Sequence, residues 1–265
     1  MATPCKLNPN DIFATSNSSM AYWDNYVTNY FLARQQTPEW IRRYIRMFYF
    51  QLVNRALGQL GADKNLRILK VDLWNEGVET SRDILGSLPS VEGVGFDFSN
   101  RICRLAKNRL RNVGITQAVC QNLPFDSGKF DLVLDLSTID HIPFSGVSKI
   151  FAEYYRVLKP KGLLATAFWR STFITKYFLC PHEDQFYFDE KKVACVLQEN
   201  GFTIVSSYDV GSLLTLMESN FWFGQFVFWQ LKRAFEDKLL TSVATFEQYF
   251  LNMMGGLHVF CARHP

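Results

Sequence analysis

The chain has 265 residues, of which 48% are hydrophobic, 15% aromatic and 20% charged, with a formal net charge of +3. This composition is typical of a globular protein with a sizeable core and excludes a disordered chain. The mild positive charge argues against a nucleic-acid partner, whose binding needs clustered Lys and Arg. No apolar run reaches the roughly 18 residues that a membrane-spanning helix requires, so no such helix is predicted.

The six cysteines are scattered along the chain without a CxxC motif or a close pairing with histidine. This usage argues against a structural zinc site, and no metal site is predicted. Because the sequence also opens without a recognisable signal peptide, we expect a protein of the reducing cytoplasm.

Two regions of different pattern follow each other along the chain. Residues 1–66 carry apolar and aromatic side chains at helical spacing, with Thr37-Pro38-Glu39 as a helix start, and are interpreted as an N-terminal helical cap. From Arg67 onward, short apolar runs alternate with helical segments such as GVETSRDILGSL and SKIFAEYYRVL. That alternation predicts a parallel sheet built from βαβ units across residues 67–265.

The C-terminal part of this region contains a long interruption. A helix from Asp189 to Asn200, ended by Gly201, leads into the strand FTIVSSYDV, and the last predicted strand is GLHVFCARHP. Between these strands, about residues 211–255 are apolar, aromatic and mostly helical in period, which is too long for an ordinary connection. Three roles are open for this insertion: a lid over an apolar pocket, a peripheral membrane contact, or a homodimer face.

Acidic residues end the first two predicted strands, at Asp72 and Asp97. In a doubly wound sheet the ligand lies beyond the carboxyl ends of the strands, and an acid after the second strand can accept hydrogen bonds from both hydroxyls of a ribose. The alternative is that Asp97 only caps the following helix, a role that Ser99 could take instead.

The series GFDFSNRICRLAKNRL, QNLPFDSGKFDLVLDLSTIDHIP and RVLKPKGLLATAFW resembles the class I S-adenosylmethionine-dependent methyltransferases, in particular the ubiquinone and menaquinone biosynthesis branch. The resemblance covers roughly residues 67–205. It implies a Rossmann-like α/β fold with a seven-stranded sheet, six strands parallel and the last antiparallel, here with an N-terminal helical cap and a helical insertion before the last strand. It also implies S-adenosylmethionine as the cofactor.

The resemblance further assigns roles to residues at the strand ends. Asp97 would hold the ribose hydroxyls and Phe98 would lie against the adenine. The cofactor would also contact the adenine-edge stretch, the end of the fourth strand and the first loop, at Cys120, Gln121, Asp135, Leu136, Asp72, Trp74 and Gly77.

The first loop departs from the family pattern of an acid, one apolar residue and GxGxG. When Asp72 is taken as the acid, the glycine positions hold Trp74, Glu76 and Val78, and Gly77 is out of step. A register two residues earlier would place Lys70 at the acid and fits the spacing to Asp97 less well. Each replaced glycine adds a side chain where the cofactor should approach the backbone.

Candidate catalytic groups lie in the segment IDHIP, where His141 is a candidate general base and Asp140 stands beside it. The leading functional hypothesis is methyl transfer from S-adenosylmethionine to a small or lipid-like apolar acceptor. The alternative is a catalytically inactive relative that serves as a binding or assembly partner, and the altered loop motivates it. A third hypothesis is another reaction in the same pocket, which a fold cannot exclude.

Overall fold

A computed structural model describes residues 23–28, 39–61, 65–80, 83–88, 91–172, 175, 185–210 and 256–265. Residues 23–28 are helical. The other α-helices in the described part of the chain are α1 (Glu39–Leu60), α2 (Trp74–Gly77), α3 (Asn100–Arg109), α4 (Phe144–Val157) and α5 (Glu190–Glu199). The strands are β1 (Leu66–Val71), β2 (Val91–Asp97), β3 (Gly114–Gln117), β4 (Phe130–Leu136), β5 (Leu158–Trp169), β6 (Thr203–Val210) and β7 (Leu257–Arg263).

The seven strands form one sheet in the order β3-β2-β1-β4-β5-β7-β6. β1 to β5 pair in parallel, and β7 lies antiparallel between β5 and β6. The predicted seven-stranded sheet with its antiparallel last strand is therefore confirmed. The central strands are apolar on both faces, as a sheet covered by helices requires.

Two apolar layers cover the sheet. On one face α1 contributes Leu52, Val53 and Ala56 to a buried cluster that includes residues of β1, β4, β5 and β7. On the opposite face α4 and α5 pack through Phe151, Tyr154 and other buried side chains. α1 begins at Glu39, where the Thr-Pro-Glu signal predicts a helix start.

Asp189 and Gly201 determine the two ends of α5. Asp189 caps the N-terminus, since its Oδ1 accepts hydrogen bonds from the Lys191 and Lys192 backbone N–H groups at 2.8 and 3.3 Å. Gly201 follows the helix with φ +88°, a left-handed conformation that suits glycine. The predicted α5, β6 and β7 are all confirmed.

Two predicted elements differ from the structure. The expected helix across GVETSRDILGSL is reduced, among the described residues, to the short α2 and a 3₁₀ turn over Leu85–Ser87. Its apolar spacing instead serves separate buried positions, such as Val78, Ile84 and Leu85. The strand predicted at TQAVC begins earlier and ends at Gln117, and Val119 forms only an isolated bridge with Asn122.

The aromatic insertion at 211–255 lies outside the described residues, and so do the three roles predicted for it. Among the helices that the structure does describe, none has both the length and the apolarity needed to cross a membrane.

Candidate functional site

Three acidic side chains lie at the carboxyl ends of adjacent strands. Asp72 directly follows β1, Asp97 ends β2, and Asp135 is the penultimate residue of β4. The sheet order places β2, β1 and β4 side by side, and Val71 pairs with both Phe96 and Asp135. The fold thus brings together three residues that lie far apart in sequence, and we call them the strand-end carboxyls.

Asp97 is buried and holds two backbone segments. Its Oδ2 accepts a hydrogen bond from the Leu73 N–H at 3.0 Å and its Oδ1 accepts one from the Ser99 N–H at 2.8 Å. Burial and the nearby Asp72 carboxyl raise the pKa of Asp97 well above its ordinary value. Ser99, not Asp97, caps α3, because its Oγ accepts from the Ile102 N–H at 3.2 Å. Asp97 is therefore not needed as the cap of that helix.

The first loop has the backbone of a glycine position at Asp72, whose φ is +63°. Its Oδ1 accepts a hydrogen bond from the Trp74 N–H at 2.7 Å, which stabilises the turn. A positive φ at the first loop residue is what the first glycine of GxGxG would supply. This geometry favours the register that places Lys70 at the acid and Asp72, Trp74 and Glu76 at the glycines. In that register a lysine stands where the family pattern has an acid, so the charge at the end of β1 is reversed.

Lys70 and Glu76 form a buried ion pair. The Lys70 Nζ lies 3.1 Å from Glu76 Oε2, and the two side chains are 1% and 0% exposed. Glu76 Oε1 also accepts hydrogen bonds from the Ile84 and Leu85 N–H groups at 3.2 and 3.3 Å. The Glu76 side chain is therefore turned into the protein, and the reversed charge on β1 has its own counter-charge.

The electrostatics of this pair follow from burial and neighbouring charge. Burial would lower the pKa of Lys70, but the carboxyls of Glu76, Asp72 and Asp97 outweigh it and raise that pKa. Burial raises the pKa of Glu76 more than Lys70 lowers it. The Lys70 Nζ also donates hydrogen bonds to the backbone carbonyls of Val71 and Asp72. The pair thus fixes the end of β1 to the loop.

Gly77 and Trp74 contact different parts of the protein. Gly77 packs against α3, where an added Cβ would lie 2.9 Å from the Ile102 carbonyl oxygen. The missing side chain at Gly77 therefore allows α2 and α3 to pack closely. The half-buried ring of Trp74 contacts Tyr26 and Trp23, with centroids 5.5 and 6.1 Å apart.

Asp135 belongs to a buried polar network behind the strand ends. Its Oδ2 accepts a hydrogen bond from the Tyr154 O–H at 2.9 Å and its Oδ1 accepts one from the Thr138 N–H at 3.0 Å. Burial raises the pKa of Asp135 to about 7. Burial, and after it the charge of Asp135, raises the pKa of the Cys120 thiol.

The remaining predicted cofactor contacts flank this network. Leu136 is buried at the end of β4, and Gln121 is half-buried beside Cys120. Phe98 follows β2 and lies with its ring centroid 6.4 Å from that of Trp23. Leu136 and Phe98 thus lie at strand ends, and the contacts of all three residues with a cofactor stay predictions.

His141 and Asp140 lie in a 3₁₀ turn after β4 but face different surroundings. His141 is half-buried, with its ring centroid 5.2 Å from that of Trp23. Asp140 is fully buried, and its Oδ2 accepts hydrogen bonds from Ser137 Oγ at 2.9 Å, Gln185 Nε2 at 3.3 Å and the Trp169 N–H at 3.4 Å. Burial raises the pKa of Asp140 although His141 opposes that shift. Asp140 thus joins β5 to the loop after β4, and its catalytic role stays a prediction.

Trp23 is the site residue that sequence reasoning missed. Its ring contacts Trp74 after β1, Phe98 after β2 and His141 after β4, so the helical segment 23–28 covers the strand ends. We call Trp23, Tyr26, Trp74, Phe98 and His141 the aromatic cluster. Only the chain fold brings Trp23 there, and no local motif marks it.

The helical segment 23–28 is fixed to α3 by polar contacts. Asp24 Oδ1 accepts a hydrogen bond from Ser99 Oγ at 2.6 Å, and Arg101 donates to the Asp24 carbonyl at 2.9 Å and to Thr28 Oγ1 at 2.7 Å. Arg101 belongs to the exposed basic face of α3, together with Arg104 and Lys107. Its contacts give that face a structural role.

Comparison with known proteins agrees with this architecture. Residues 81–166 match a family described as a methyltransferase domain. A protein of Haemophilus influenzae with no assigned function is 35% identical over 81 residues, which are 29% of this chain. The match spans about a third of that relative, 32% of its length.

Solved structures show the same fold at low sequence identity. The Burkholderia thailandensis 1,6-didemethyltoxoflavin N1-methyltransferase, solved with 1,6-didemethyltoxoflavin and S-adenosylhomocysteine, has a TM-score of 0.58 at 14% identity, covering 100% of this chain and 93% of that one. The Haemonchus contortus phosphoethanolamine N-methyltransferase 2, solved with S-adenosylmethionine, has a TM-score of 0.51 at 18% identity, covering 80% and 52%.

The cyclase SpnF has a TM-score of 0.53 at 18% identity, covering 81% of this chain and 80% of its own. A shared fold therefore does not fix the reaction. Residues 81–166 thus match a methyltransferase domain, and the seven-stranded sheet has the fold of the class I S-adenosylmethionine-dependent methyltransferases.

Proposed function

We propose that the protein binds S-adenosylmethionine at the strand ends and transfers its methyl group to a small or lipid-like apolar acceptor. The observation that carries this proposal is that the strand-end carboxyls, Asp72, Asp97 and Asp135, meet at one edge of the sheet, on three adjacent strands. Burial raises the pKa of Asp97 and of Asp135, so their ionised forms lack sufficient compensation. A ligand that carries a sulfonium and an ammonium group would supply it.

The altered loop is compatible with this ligand. Glu76 is directed at Lys70 and at the N–H groups of Ile84 and Leu85, so its buried carboxylate already has a counter-charge and hydrogen-bond donors within the protein. Asp72 keeps the positive φ of a glycine position, and Trp74 packs on the 23–28 segment. In a bound nucleotide, Asp97 would face the ribose and Phe98 would face the adenine.

The protein's own contribution to the reaction would be alignment and exclusion of water. The aromatic cluster offers apolar rings on which an apolar acceptor can be held, and proximity of the two reactants supplies much of the rate. The bound cofactor would supply the electrophilic methyl group for in-line displacement. His141 would accept the proton when the acceptor atom carries one, with Asp140 as its neighbour.

The test is a calorimetric titration of the protein with S-adenosylmethionine and, separately, with S-adenosylhomocysteine. Asp97→Asn is chosen over alanine because an amide oxygen still accepts one of the two backbone hydrogen bonds. We expect Asp97→Asn to weaken the binding of both ligands by the same factor, about 5- to 100-fold, because both contain the ribose. The control is Asp126→Asn, since the Asp126 side chain is 84% exposed and pairs with Lys129 ahead of β4.

Equal affinity of the Asp97 and Asp126 variants would remove the ribose assignment. A loss confined to S-adenosylmethionine would place Asp97 at the sulfonium instead. If the folded parent protein binds neither ligand at millimolar concentration, the proposal is wrong and the loop has closed the site.

A further inference from the structure

We propose that Ser207 is an activated nucleophile, with His258 as its general base and Asp209 as the orienting carboxylate, and that this trio accepts acyl groups from small activated esters. The three residues lie on β6 and β7, which are separated from β4 and its strand-end carboxyl by β5. The inference is thus independent of the function proposed above.

The register of the sheet brings the trio onto one face. Ser207 and Asp209 are two residues apart on β6, so their side chains point to the same side. Asp209 lies opposite His258 and Ser207 opposite Phe260 in the antiparallel β6–β7 pair. His258 Nε2 is 2.9 Å from Ser207 Oγ, and His258 Nδ1 is 2.5 Å from Asp209 Oδ1. A nucleophile, a base and an orienting group within hydrogen-bond reach are the arrangement that activates serine.

The second oxygen of Asp209 fixes the proton positions in this trio. Arg170 donates a hydrogen bond from Nη1 to Asp209 Oδ2 at 2.7 Å, so the carboxylate has a cationic partner on its second oxygen. An ionised carboxylate can only accept, so His258 donates from Nδ1 and presents the lone pair of Nε2 to Ser207. Ser207 then donates its O–H to Nε2, as a serine nucleophile requires.

Burial differs between the base and the nucleophile. His258 is 5% exposed and Asp209 is 8% exposed, and the imidazole packs beside the rings of Phe168 and Phe260 at centroid distances of 5.7 and 4.6 Å. Ser207 is exposed and lies on the outermost strand of the sheet. The base is thus held rigidly, while an ester can reach the hydroxyl from solvent. The neighbouring aromatic rings favour a short apolar acyl group.

The expected chemistry is acyl transfer. Ser207 Oγ forms a bond to the ester carbonyl carbon while its proton passes to His258 Nε2. The bond from that carbon to the leaving oxygen breaks, and the leaving group takes the proton from His258. Water then attacks the acyl-serine by the same route, which releases the carboxylic acid and restores Ser207.

The experiment is reaction of the full chain with p-nitrophenyl acetate and with a fluorophosphonate probe, read by nitrophenolate release and by mass spectrometry of the labelled peptide. We expect one adduct, on Ser207, and loss of that adduct in Ser207→Ala. His258→Gln should slow labelling by about 100-fold or more, the usual contribution of a general base. Asp209→Asn should also slow it, which covers the case in which the His258 variant does not fold.

Ser206→Ala is the matched control. Ser206 is the adjacent residue on β6, points to the opposite face and interacts with Gln59 Nε2 at 3.4 Å. The Ser206→Ala variant should be labelled on Ser207 at the same rate as the parent protein. An unlabelled parent protein, an adduct that persists in Ser207→Ala, or equal rates in the parent and the Asp209 and His258 variants would each overturn the proposal, since a purely structural trio predicts those results.

Discussion

At the scale of single residues, the departure from the family pattern that most changes the site is Lys70, which stands where that pattern has an acid. It places a positive charge in the buried end of β1, where burial without a partner would cost several kcal/mol. Glu76 supplies that partner from the loop. The two departures from the family pattern therefore compensate each other, and neither is understandable alone.

The pair should show strong coupling in a double-mutant cycle. Lys70→Met leaves the Glu76 carboxylate buried without its cation, so we expect a loss of about 3 to 5 kcal/mol in the free energy of unfolding. Adding Glu76→Gln to Lys70→Met should recover much of that loss, because the amide oxygen can still accept from the Ile84 and Leu85 N–H groups. Chemical denaturation of the four proteins measures the coupling. Additive losses would mean that the two side chains do not interact.

At the scale of elements, α2 and α3 meet through Gly77. An added Cβ would lie 2.9 Å from the Ile102 carbonyl oxygen and 3.2 Å from the Ala106 backbone nitrogen, both of them main-chain atoms that cannot move alone. The glycine is required by packing, although its place in the sequence suggested a contact with the cofactor.

Gly77→Ala should therefore destabilise the protein by about 1 to 3 kcal/mol, the usual cost of overpacking. The control is Gly58→Ala in α1, where an added Cβ meets nothing within 4 Å and alanine should stabilise the helix by about 0.5 to 1 kcal/mol. Thermal unfolding of both variants gives opposite signs if the packing argument holds. A neutral Gly77→Ala would show that α2 can move away from α3.

At the scale of the whole molecule, buried carboxyls couple folding to pH. Asp135 has a folded-state pKa of about 7 against an ordinary value of 3.8, so the folded state binds more protons than the unfolded state between those values. Its contribution to stability is therefore greatest below about pH 4 and is lost as the pH rises through 7. Ionisation in the interior is the cause of that loss.

Asp135→Asn removes this pH dependence because an amide does not titrate. Relative to the parent protein, the variant should gain about 1 to 3 kcal/mol between pH 5 and pH 8. Melting temperatures measured at both pH values test this, with Asp126→Asn as an exposed control that should show little change. A difference between variant and parent that stays constant with pH would show that Asp135 titrates normally.

The sequence by itself determined the α/β class, the seven strands and the acids that end β1 and β2, because alternating apolar runs and strand ends are local patterns. Asp135, at the end of β4, followed from the resemblance to a known family. It also indicated the caps of α3 and α5, since a cap depends on only a few neighbouring residues. It could not reveal the Lys70–Glu76 pair, the placement of Trp23 or the Ser207–His258–Asp209 trio.

Each of these features joins residues whose contact depends on chain crossing and strand register. Trp23 reaches Phe98 and His141 only because the helical segment 23–28 lies over the strand ends, and His258 meets Asp209 only because β7 inserts antiparallel between β5 and β6. The loop after β1 belongs to both levels. Its replaced glycines were visible in the sequence, but the tertiary structure decided that Glu76 turns inward, because the buried ammonium of Lys70 requires a counter-charge.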